Sequence, residues 1–335
     1  MIKEGEAVKH LYITAKRGFT LLEVVMVIVI LGIVASISSS VIADVFEHYI
    51  LQRATQRASI KTELAAQQIA NMLSYRIRNT TLARQPSNLS NFVLVSDATN
   101  ISDNVRTVLE WIGYDHDSFM SATATNDYRP GWNGFCDINA SLTAALPNDI
   151  VTPGSNLALA STIMRNLTQN DIPNSDNPAI FFNDNVYQAA STSGGLPVND
   201  IVYNVNCMGL TNAADTTCIS SVGFNTATQL TFDPTAAARP NKRIVEHYKL
   251  AVSAYAIWPE PNPRTGNFDL RLYYNYQPWS GETLAKSNNF RTLLTNVTVF
   301  KFAESANTFR FKLCAQEQVG NDFNITICKE KAIIL

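Results

Sequence analysis

The sequence predicts an α+β protein: a long N-terminal α-helix, its first half transmembrane, packed on an antiparallel β-sheet. Three observations predict it. From Phe19 to Ile37 the chain is apolar apart from Thr20, Glu23 and Ser36. Apolar residues then recur at helical spacing as far as Ile77. From about residue 199 the pattern becomes short alternating runs of β-branched and aromatic residues, bounded by Pro, Gly and Asn. Helix first and strands afterwards is the pattern of α+β folds.

Residues 1–18 are polar and carry Lys3, Lys9, Lys16 and Arg17, which predicts a leader held in the cytoplasm and a remainder outside it. Residues 19–42 supply the roughly 20 apolar positions that a helix needs to cross a bilayer. A cleaved secretory signal fits less well: the apolar run is long, and no sharp A-x-A-like site follows it. Glu23 is the oddity. A carboxylate at the centre of a membrane helix costs about 3 kcal/mol and is normally kept where it has a partner.

The helix is expected to continue as residues 43–83. Val41, Ile42, Val45, Phe46, Tyr49 and Ile50 carry one stripe; Leu64, Ile69, Met72, Leu73 and Ile77 resume it after a polar stretch. Asn79–Thr81 and Pro86 mark its end near residue 80. Residues 84–198, rich in Asn, Ser, Thr, Pro and Gly, read as a loop-rich variable insertion over the surface. Within it, FVLV (92–95), TVLEWIG (107–113) and AIFF (179–182) suggest short strands, and Ala158 to Leu167 a short helix. Residues 199–335 read as an antiparallel meander. In NTFRFKLC, Phe309, Phe311 and Leu313 take one face while Arg310 and Lys312 take the other.

Net charge is -2 and only 16% of residues are charged, which removes any strong whole-chain field for nucleic acid. None of the five cysteines has zinc-site or thioredoxin-like spacing. In an oxidising compartment they read as Cys207–Cys218 and Cys314–Cys328 disulfides, with Cys136 left as a buried thiol.

Lys16-Arg17-Gly18-Phe19-Thr20-Leu21-Leu22-Glu23 and the apolar run behind it resemble the type IV prepilin signal. The resemblance implies cleavage between Gly18 and Phe19 by a prepilin peptidase, and N-methylation of Phe19 by the same peptidase/methyltransferase. It implies that Glu23 docks subunits by pairing with a neighbour's N-terminal amine in a filament core. The aromatic strands from HYKLAVSAYAIW to KLC are similar to those of larger minor pilins and J-type minor pseudopilins. The implied fold is pilin-like. The implied partners are other pilins or pseudopilins and an inner-membrane assembly platform with its ATPase. The implied place is the inner membrane, single-pass with a periplasmic C-terminal domain, then the filament of a type IV pilus or of type II secretion. A membrane-anchored adhesin or binding module using the same signal is the alternative; it predicts a pocket or exposed aromatic patch in residues 84–200, with Trp111 and Trp132 as candidates.

No catalytic signature stands out, so the expectation is a non-enzymatic subunit without a cofactor. Asp115-His116-Asp117 reads as a solvated loop. Asn174–Asn177 and Asn183–Asn185 offer oxygen ligands for Ca2+, although turn formation explains them equally well. Asn139 and Asn324 lie in Asn-x-Ser/Thr sequons with an Asp two residues upstream, which makes them glycosylation candidates.

Overall fold

The computed structural model describes residues 18, 20–77, 79–96, 105–123, 128–143, 149–169, 177–182, 186–187, 201–202, 208–212, 216, 219–232, 246–305, 308–319 and 323–334. The chain divides into two compact units, residues 1–54 and residues 55–335. Helix α1, Leu21–Ser74, runs through the boundary. In the first unit its large apolar side chains from Leu21 to Ile50 are all exposed, and the segment is long and apolar enough to cross a membrane.

The second unit opens with the end of α1, where Ala58, Thr62, Ala65, Ala66, Ile69 and Leu73 are buried. These residues recur at i, i+3, i+4 and i+7, the spacing of one helix face. Strands β1 (Leu82–Gln85), β2 (Asn88–Leu94) and β3 (Val108–Gly113) follow, then the short helices α2 (His116–Met120) and α3 (Ile138–Thr143). Next come β4 (Asp149–Val151), α4 (Leu157–Thr168), β5 (Ala179–Phe182), β6 (Val186–Tyr187) and β7 (Ile201–Val202). The remainder is strand-rich: β8 (Ser220–Thr226), β9 (Gln229–Phe232), β10 (Tyr248–Ala251), β11 (Ser253–Pro261), β12 (Phe268–Tyr276), β13 (Phe290–Ser305), β14 (Thr308–Val319) and β15 (Phe323–Ile334).

Among the described residues the large sheet has the order β15-β14-β13-β12-β11-β3-β1-β2, antiparallel throughout. A second antiparallel sheet has the order β10-β5-β8-β9-β4, and β6 pairs with β7. The α+β architecture and the meander from β11 to β15 agree with the sequence. The alternation in β14 is as expected: Phe309, Phe311 and Leu313 are buried, Arg310 and Lys312 exposed.

Among the described residues, three apolar clusters hold this unit. Ile69 and Leu73 of α1 meet Leu109, Ile257, Leu270, Phe309 and Leu313 on one face of the large sheet. The opposite face buries Leu82, Ile112, Ala254 and Tyr276 with Phe181 and Trp279. The second sheet and α4 enclose Trp132, Ile150, Met164, Ile180 and Tyr248. Glu63 of α1 accepts from Lys331 and faces Lys329 at 3.5 Å, which ties α1 to β15. The Lys331 hydrogen bond is the largest cause holding the Glu63 carboxyl below its usual range.

Two expectations are corrected. The helix ends at Ser74, short of residue 80. The chain leaves it because Ile77 donates to the Ile112 carbonyl at 2.8 Å and Tyr114 to the Tyr75 carbonyl at 2.9 Å. Pairing with the end of β3 therefore overrides helix propensity. Nor is the stretch from residue 84 surface elaboration. β3 is buried on both faces in the middle of the large sheet, and β4, α4 and β5 build the second core. A strand buried on both faces shows no alternation, so VLEWIG carried no period to read.

Cys314 and Cys328 are register partners across β14 and β15 and form a disulfide, with Cα atoms 4.0 Å apart. Closing a loop of this size contributes about 3 kcal/mol in the chain-entropy model. The Cys314→Ala/Cys328→Ala double variant is expected to lose about 2–3 kcal/mol in chemical unfolding and to speed amide exchange along β15. Unchanged exchange in β15 would show that the strand is held by its other contacts alone.

Candidate docking site at the start of the helix

Sequence reasoning points to Gly18, Phe19 and Glu23. Phe19 lies outside the described residues. Gly18 is exposed, and a Cβ added to it would meet nothing within 4 Å. Its backbone is not in the left-handed region, where glycine is favoured. The fold therefore places no demand for glycine at position 18. Any such demand comes from a molecule that has to approach the backbone there.

Glu23 is the third residue of α1, and the structure gives it a local role that the sequence reading missed. Its amide donates to Thr20 Oγ1 at 3.3 Å, while its carboxylate accepts from the Thr20 amide and hydroxyl, both at 3.4 Å. This reciprocal pair is a capping box, and Thr20-Leu21-Leu22-Glu23 carries its T-x-x-E signature. An acidic residue in the first turn also complements the helix dipole. The long, exposed contacts stabilise the helix start by about 1 kcal/mol or less. That is smaller than the cost of a carboxylate held in hydrocarbon, about 3 kcal/mol. The cap explains how the helix begins.

The other candidates scatter. Cys136 is buried, with Sγ 3.5 Å from Ser141 Oγ; burial pushes its thiol pKa up, so it stays a thiol. Cys207 and Cys218, and with them the expected second disulfide, lie outside the described residues. So do most of the Asn174–Asn177 and all of the Asn183–Asn185 clusters considered for Ca2+. No group of three or more His, Cys, Asp or Glu side chains converges among the described residues. Asn139 sits in α3 and Asn324 on β15, both exposed. Asp115-His116-Asp117 is no solvated loop: Asp115 is buried, caps α2 by accepting from the Ser118 amide, and accepts from Trp132 Nε1. Trp111 and Trp132, the candidates for a pocket or exposed aromatic patch, are both buried in the core.

An open apolar helix that starts on a capped carboxylate, followed by antiparallel sheets, defines a protein with a pilin-like α+β layout. The Prokaryotic N-terminal methylation motif matches residues 13–39. Comparison with curated proteins and with solved structures returns no match. The chain thus carries a prepilin-type signal, which implies processing by a prepilin peptidase and assembly with other pilins, and the apolar helix fits membrane anchoring.

Proposed function

We propose that the protein is a minor pilin or pseudopilin, a non-enzymatic subunit of a type IV pilus or a type II secretion pseudopilus. It is stored in the inner membrane through α1 with its second unit in the periplasm. It enters a filament after Gly18–Phe19 cleavage and methylation of Phe19. The observation that carries this reading is Glu23, a lone carboxylate heading a helix whose apolar side chains to Ile50 are all exposed. A neighbouring subunit's Phe19 amine would neutralise it and offset the desolvation of both charges. Gly32 supports the same packing: a mid-helix glycine costs about 1 kcal/mol relative to alanine, and open space surrounds it within the chain. Small residues let neighbouring helices approach closely in a membrane.

Size favours a minor role. A second sheet and its core beside the large sheet would crowd a uniform helical array, whereas a tip or initiation complex tolerates bulk. A partner ATPase on an assembly platform would drive assembly. Purification of the full chain from membranes, with identification of what accompanies it, tests the reading. Pilin-like partners and platform components are the expected result; their absence after crosslinking counts against it.

Cleavage has its own test. Gly18→Leu is expected to leave the fold unchanged and to reduce processing at least about tenfold, since a bulky side chain enters a peptidase site shaped for a bare backbone. Intact mass reads the outcome directly: residues 1–18 retained, and no methyl group added. Normal processing of this variant would remove Gly18 from the recognition element.

A further inference from the structure

One cavity of about 340 Å³ lies wholly within the second unit, between the end of α1, the turn from β3 into α2, the end of α4 and the edges of β11 and β12. Tyr75, Tyr114, Tyr255 and Tyr274 contribute to its lining. The ring of His116 stacks on Tyr75, centroids 3.9 Å apart and planes 12° apart, and Tyr114 meets Tyr75 edge-on at 5.6 Å. Two carboxylates, Asp115 and Asp117, also line it, and its described lining includes no Lys or Arg. Exposed Asp117 and Leu167 bring it to the surface.

Two of the lining polar side chains are already engaged. Asp115 accepts from the Ser118 amide at 3.3 Å and from Trp132 Nε1 at 3.2 Å, and Asn275 Nδ2 donates to the Thr168 carbonyl at 3.3 Å. What is left is aromatic surface, a negative field and one orphan. His116 Nδ1 is buried without a hydrogen-bond partner, a state that costs roughly 1–3 kcal/mol until a partner arrives. Burial and then the fields of Asp115 and Asp117 push the Tyr255 phenol pKa up, so both charges are felt at the cavity wall. Lys249, outside the lining, already stands with Nζ 4.9 Å from the Tyr114 centroid. It shows that this ring accepts an ammonium.

From this geometry we propose that the cavity binds an organic cation, a protonated amine carried on an aliphatic stem. The π faces attract the positive charge, the apolar walls cover the stem, His116 Nδ1 accepts one N–H, and Asp117 supplies the uncompensated charge. An anion would meet two carboxylates and no lining cation. A lysine side chain of another protein and a free polyamine share the chemistry the cavity reads.

Met72 and Met164 line the cavity and make the test direct. The full chain, in detergent and labelled at its six methionine methyls, is titrated with n-butylammonium and with neutral 1-butanol. The Met72 and Met164 signals are expected to move with n-butylammonium while those of Met1, Met26 and Met208 stay. Butanol is expected to bind about tenfold more weakly, the loss of a desolvated cation–π contact. Asp117→Asn, an exposed change that leaves the fold alone, should weaken the amine severalfold, and Tyr75→Leu about tenfold. N-acetyl-lysine amide binding tighter than putrescine points to a protein side chain; the reverse order points to a free polyamine. Equal binding of butanol and butylammonium, indifference of the amine to Asp117→Asn, or no movement of Met72 and Met164 at about 50 mM amine each overturns the proposal, since that limit lies well above any useful affinity.

Discussion

Glu23→Gln is expected to abolish recovery of the chain with its filament partners while leaving its abundance and its Gly18–Phe19 cleavage unchanged. Glutamine fills the same volume and can complete the capping box with Thr20, so the helix start survives. Only the negative charge is lost. In a water-poor filament core this leaves a neighbour's ammonium buried and uncompensated, a penalty of about 3–5 kcal/mol per contact. A penalty of that size lowers association by at least about a hundredfold. Glu23→Ala separates the two roles, because it removes the cap as well as the charge. If the Gln variant assembles normally and the Ala variant does not, Glu23 is a capping residue and the docking argument falls. If both fail equally, the charge is what assembly reads. Quantitative mass spectrometry of crosslinked membranes, normalised to total subunit, provides the measurement.

How much of the molecule could be read from its sequence depended on the range of the interactions involved. The start of α1 was legible because the apolar run and the preceding glycine are local. Even so, the same Glu23 signal carried two meanings, and reasoning from membrane cost alone found only docking. β13 to β15 were legible because sequential strands pair through short turns, and because Phe309 and Arg310 fall on opposite faces. The second sheet was hidden by its topology. Ile180 pairs with Leu250 in β10 and with Ser220 in β8, partners far apart in sequence and unmarked by any periodicity. Trp111 and Trp132 read as pocket or patch residues for a related reason: an aromatic residue in a polar stretch looks available to a ligand until the strand that buries it is located. The aromatic cavity draws on α1, the β3–α2 turn, α4, β11 and β12, so sequence alone gave no sign of it.

That dependence on long-range pairing makes one buried group decisive for the second unit. Arg84 of β1 is expected to lose its carboxylate partner in Glu110→Ala, at a cost of about 3–5 kcal/mol. Both side chains are almost fully buried, at 5% and 2% exposure. Arg84 Nε pairs with Glu110 on β3, Nη1 donates to the Leu89 carbonyl at 2.6 Å and Nη2 to the Leu210 carbonyl, while its guanidinium stands 5.6 Å from the Phe92 centroid. Glu110 in turn accepts from the Tyr276 hydroxyl of β12 at 2.8 Å. Burial, followed by the Glu110 charge, pushes that phenol's pKa well above its ordinary range, which keeps Tyr276 a donor to Glu110 at neutral pH. The group therefore links β1, β3, β12 and the loop at Leu210, none of which are consecutive in the sheet except β1 and β3. Removing Glu110 leaves a guanidinium in the core with carbonyls as its remaining acceptors. Arg84→Met combined with Glu110→Leu is expected to recover most of the loss, because two apolar side chains of similar volume need no partner. Chemical unfolding followed by fluorescence of the buried Trp111 and Trp132 reads both variants. A loss below about 1 kcal/mol in Glu110→Ala would mean that water reaches Arg84 and that the pair behaves as a surface one.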